Sequence, residues 1–104
     1  EEVYKILASE RWKKETAGLE FGAVTIPTDR ETSIIIAAMP NEPVSSFKIS
    51  NGVWVKNKSA AEVAALKSAH RAFIQAAFDW ESEETEKVLK MSYDELVVYT
   101  NVYN

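Results

Sequence analysis

Three Ser/Thr-x-x-Glu tetrads, Thr28 with Glu31, Ser59 with Glu62 and Ser92 with Glu95, constrain this chain more than any other pattern in it. In such a box the hydroxyl accepts a hydrogen bond from the amide three residues on, and the glutamate reaches back to the cap's own amide. Each tetrad therefore predicts a helix start. The box at Ser59 opens the longest helix, running to about Met91, with an apolar stripe of Val63, Leu66, His70, Phe73, Ala77 and Trp80 that continues through Val88. Eight alanines between Ala60 and Ala77 favour the helix and let another element approach it closely. The box at Thr28 predicts a short helix from Asp29 to about Met39. Its Ile34-Ile35-Ile36 run is β-branched, so packing must hold it. The box at Ser92 starts a last short helix at Tyr93, before an apolar end of Val97, Val98, Tyr99, Val102 and Tyr103.

Between the boxes the pattern changes period. Residues 2–17 read as an amphipathic helix with Val3, Ile6, Leu7 and Trp12 at helical spacing, stopped by Gly18. Residues 19–26 read as a tight hairpin turning near Gly22-Ala23, and Pro27 ends its second strand. In residues 47–56, Asn51-Gly52 sits between two alternating runs. Phe47 and Ile49 share one face of the first strand, Val53 and Val55 one face of the second. Asn-Gly predicts a type I′ turn, which needs positive φ at both central residues. The expected fold is α+β: a small antiparallel sheet from two hairpins packed by the long C-terminal helix, with an N-terminal helix that packs there too or projects as a linker. Three segments are expected: 1–17 as helix or linker, 18–91 as the α+β domain and 92–104 as a C-terminal helix or tail.

At 104 residues this is one domain, large enough for a modest core without metals or disulfides. It has no cysteine, which removes thiolate chemistry and fits a reducing compartment. Twelve basic residues against sixteen acidic ones leave a net charge of −4, the wrong balance for a general nucleic-acid binder. No apolar run approaches the roughly 20 residues of a membrane helix. The opening Glu1-Glu2 lacks the basic start of a signal peptide. A start without methionine is read as a processed chain or a piece of a longer one, the second being preferred.

The candidate chemistry is sparse. His70, the one histidine, lies on the apolar side of the long helix without a nucleophile or orienting acid nearby, which points to a structural, hydrogen-bonded role. The run Asp79, Glu81, Glu83, Glu84, Glu86 has no glycine to turn a calcium loop and reads as a solvated face. No glycine-rich phosphate cradle occurs. The expectation is therefore no enzyme, no cofactor, no metal, no nucleic acid and no membrane. Of the three tryptophans, Trp54 on its hairpin is the best placed for a ligand or partner. The apolar end cannot be buried by one short helix, so it docks on its own domain or joins a partner. The candidate partner interface is Trp54, Val98, Tyr99, Val102 and Tyr103. Arg30 is left without a structural role and is read as a surface or interface contact.

One resemblance adds context. Arg11-Trp12, Phe21-Gly22, the run from Thr25 through Glu31, Trp54-Val55, and the run from Ala69 through Phe78 followed by Glu81 occur in the order of a domain of unknown function, DUF4376. The segment from Arg11 to about Lys90 resembles that family, which is found in tail-associated proteins of bacteriophages and prophages. The family carries no assigned activity, so the resemblance implies no catalytic residue. It implies a non-enzymatic structural or adaptor part of a phage tail, baseplate or fibre, located in the virion after assembly in the host cytoplasm. Its expected partners are other tail or fibre proteins and copies of itself, as a homo-oligomer held through helix faces. The alternative is a fibre-assembly chaperone that binds transiently.

Overall fold

The computed structural model describes residues 2–22 and 24–103. Its elements run α1 (Glu2–Glu15), β1 (Leu19–Phe21), β2 (Val24–Ile26), α2 (Arg30–Ala38), β3 (Val44–Ser50), β4 (Val53–Lys58), α3 (Ala60–Leu89) and α4 (Tyr93–Val102). The α+β architecture holds, with the long helix packed on two hairpins. The hairpins stay separate, as two two-stranded antiparallel sheets, β1–β2 and β3–β4.

Two of the three capping boxes form as the sequence predicts. Ser59 caps α3 and Ser92 caps α4, each with both reciprocal bonds made. The third is displaced by one residue. The N-cap of α2 is Asp29, whose carboxylate accepts from the Thr32 amide at 3.1 Å and from the Thr32 hydroxyl at 2.6 Å. Thr28 is buried, and its hydroxyl accepts from the Gly18 amide at 2.9 Å. That long-range bond takes the oxygen a Thr28 cap would use, and the neighbouring carboxylate is the stronger acceptor. These two bonds to Thr32, side chain first, hold the Asp29 carboxyl below its ordinary pKa.

The second hairpin also differs from expectation in its turn. Gly52 has φ +77°, whereas Asn51 is not in the positive-φ region, so the turn is not type I′. The ladder slips by one residue between Lys48 and Ser50, from Lys48 opposite Trp54 to Ser50 opposite Val53. A bulge supplies the twist that a type I′ turn would otherwise give. The turn of the first hairpin includes Ala23, which lies outside the described residues.

The apolar side chains form two cores. The first joins Ile26, Ile36, Met39, Ile49, Val55, Val63 and Leu66, with Phe47 and Val53 packed against it. Of the isoleucine run in α2, Ile36 enters this core, Ile35 packs on it and Ile34 faces solvent. Lys67 on α3 donates to the Met39 carbonyl at 2.7 Å, which ties the end of α2 to the long helix. The second core joins Val3 and Leu7 of α1 to Val88 of α3, with Trp80, Met91, Leu96 and Tyr99 against it. Thus α1 packs along the later half of α3 rather than on the sheets. The molecule is long, 56 × 22 × 21 Å, with the hairpins around the first turns of α3 and α4 beside its last.

Candidate functional site

The groups most able to do chemistry are bound into the fold. His70 is buried, and its Nε2 lies 3.0 Å from the Pro27 carbonyl. A carbonyl only accepts, so Nε2 carries the proton and donates it, joining α3 to the exit of β2. Glu15 is 3% exposed and receives two arginines. Arg11 donates to it at 2.7 Å and also to Glu81 at 3.0 Å; Arg30 donates at 3.1 and 3.4 Å. Arg30 also lies over the Trp12 ring, 5.2 Å from its centroid. Arg30 does lie at the surface, 57% exposed, and there its guanidinium links α2 to α1. The signal was partly available in sequence, since Arg11 and Glu15 are one helical turn apart. Among the described residues, no group of three or more His, Asp or Glu side chains is placed to hold a metal ion.

The acidic run is likewise not uniformly solvated. Glu84 is buried at the second core, where it accepts from Lys87 at 2.7 Å and from the Tyr99 hydroxyl in a short bond. These two bonds, Lys87 first, hold its carboxyl below the ordinary glutamate pKa. Burial, and then the bond to Glu84, push the Tyr99 hydroxyl well above its usual value, so Tyr99 remains a donor. Tyr103 packs edge-on against the Tyr99 ring at 5.5 Å.

This geometry divides the five candidate interface residues. Tyr99 turns toward the second core and docks α4, and Tyr103 packs on its ring. Val98 and Val102, at 68% and 75% exposed, stand on the outer side, where Met91, Asp94, Glu95, Val98, Tyr99 and Val102 line an open, almost wholly apolar surface. Trp54, 48% exposed, is far from them on the second hairpin. The two patches are not brought together.

Trp54 borders a cleft of about 250 Å³ between the two hairpins, floored by Phe21, Val24, Ile26, Val55 and Leu66 and edged by Lys58 and Glu62. A second, more open depression shares Val24, Trp54 and Lys58 with it and adds Val53 and Lys56. The register places Lys48 directly across from Trp54 and Ser46 across from Lys56, so tryptophan and lysines share one face. Each of the other two tryptophans has a cation over its ring, Arg30 at 5.2 Å from Trp12, which is itself 46% exposed, and Lys14 at 4.7 Å from Trp80. Among the described residues no cation is stacked on Trp54. Sequence reasoning chose Trp54 without Val24 and the lysines, because Val24 arrives from the other hairpin.

The family model for a domain of unknown function (DUF4376) matches residues 1–101. The chain belongs to this family. The match extends beyond Arg11 to Lys90, where the sequence resemblance was visible, and takes in α1 and most of α4. No curated protein and no solved structure matches the chain.

Proposed function

We propose that this DUF4376 domain is a non-enzymatic structural or adaptor part of a phage tail, baseplate or fibre and works through protein–protein contact. The observation that carries the contact reading is α4. It has no buried residue of its own and holds Tyr93, Val98 and Val102 in solvent. A helix that leaves such an apolar face in water marks a surface that a further element or partner covers. The involvement of His70, Glu15 and Glu84 in internal bonds supports a scaffold rather than a reaction centre. The tail assignment comes from the family resemblance alone. Mass spectrometry of purified particles tests it, with the chain expected in mature virions alongside tail proteins. Absence from virions, together with recovery on unassembled fibre from the host cytoplasm, would replace it with the transient chaperone. Absence from both would remove the phage reading.

A further inference from the structure

The two exposed patches are both apolar and lie at opposite ends of the molecule; carboxylates flank the one on α4, and lysines, with Glu62, flank the Trp54 cleft. Every charged residue of the second hairpin, residues 44–58, is a lysine: Lys48, Lys56 and Lys58. The α4 surface carries Asp94 and Glu95 and no basic residue. On α4 the carboxylates and the apolar residues share one side, since Asp94, Val98 and Val102 are spaced four apart. From Asp94 to Val102 that stripe is about 12 Å long at the helical rise. The β4 row from Trp54 to Lys58 is about 13 Å long at the strand rise.

We infer that the α4 face of one copy of this chain docks in the Trp54 cleft of a second copy, joining copies head to tail. Val98 and Val102 cover Trp54 and Val24, and Asp94 and Glu95 lie against Lys56 and Lys58. This contact rests on the protein-contact reading above and names its partner. It cannot form within one copy: Val63, in the hairpin core, and Val88, in the α4 core, are 25 residues apart on one helix, about 38 Å. The two surfaces differ, so the interface is heterologous, and repetition gives a ring or a filament rather than a closed two-fold dimer.

Sedimentation and light scattering of the full chain over a concentration series test this. The wild type is expected to form oligomers that grow with concentration and weaken with salt. Trp54→Ala and Val98→Asp should each weaken association at least about tenfold, the effect of losing a central anchor. The deciding measurement is an equimolar mixture of the two variants. One has an intact helix face, the other an intact cleft, so the mixture should give a dimer of one copy each and nothing larger. Lys56→Glu with Lys58→Glu replaces Trp54→Ala if circular dichroism shows that variant unfolded. A monomeric wild type, a mixture that stays monomeric, or a Val98→Asp variant that still self-associates overturns the head-to-tail contact. None of these outcomes bears on the tail assignment, which the particle experiment decides separately.

Discussion

Glu15 gathers two guanidinium groups on one buried carboxylate, and the consequence of losing it can be estimated. Removing one member of a fully buried pair costs about 3–5 kcal/mol because the remaining charge is stranded. Here Arg11 keeps Glu81, and Arg30 is 57% exposed and can turn to water. Glu15→Ala should therefore cost less, about 2–3 kcal/mol, read from the urea midpoint. The exposed pair Lys13–Glu10 is the control, and Glu10→Ala should change stability by no more than about 0.5 kcal/mol. Equal effects at the two positions would show that the arginines find solvent equally well. The same region shows what a local pattern misses. Thr28, Asp29 and Arg30 follow one another in sequence, yet each is bound differently: to Gly18, to Thr32 and to Glu15. Only the Asp29 bond is local, which is why the cap was displaced and Arg30 was left without a partner.

Helix starts and hairpins were legible wherever the deciding bonds lie within four residues. Ser59 and Ser92 cap as expected, and the apolar stripe of α3 delivers Val63, Leu66, His70, Ala77 and Val88 to the interior. The Asn51-Gly52 turn was found, but its type was not, because the bulge beside it depends on pairing across the ladder. For the candidate site, Trp54 and the α4 valines were legible as apolar residues without a local use, and Tyr99 was not separated from them. Its inward role depends on Glu84, which read as surface. That contact makes α4 sensitive to acid. Glu84 has a lower pKa folded than its ordinary 4.5. The folded state therefore binds fewer protons, and the stabilisation is present above 4.5 and lost as pH falls through the depressed value. Near-ultraviolet circular dichroism of the Tyr99–Tyr103 pair should lose intensity on acidification below about 4.5, the unperturbed glutamate range, before the helical signal falls. Glu84→Gln should weaken the pair at neutral pH and remove that early step. An unchanged acid transition in Glu84→Gln would place the proton uptake elsewhere.

Across the whole molecule, a single 30-residue helix serves two cores that share no buried side chain. The stretch between them is held by the buried Ala77 and by polar ties: His70 to Pro27, and Arg11 to Glu81 and Glu15. Apolar burial is what makes distant segments unfold together, so this arrangement favours two cooperative units joined by a helix. Leu7, fully buried in the α1–α4 core, is the residue that separates them. Leu7→Ala removes its methyl groups from a small cluster with few neighbours to collapse inward, at a cost of about 2–5 kcal/mol. That loss should fall on one end. Hydrogen exchange is expected to accelerate strongly in α1, α4 and the last turns of α3. The amides of β3, β4 and the first half of α3 should stay within about twofold of wild type, because their opening does not require the distant core. A common acceleration along the chain would mean that α3 transmits cooperativity through its backbone, Ala77 and polar ties. The head-to-tail contact makes the same variant informative in a second way. Loosening α4 leaves the Trp54 cleft intact, so Leu7→Ala should still accept the helix of a Trp54→Ala copy and cap it as a dimer.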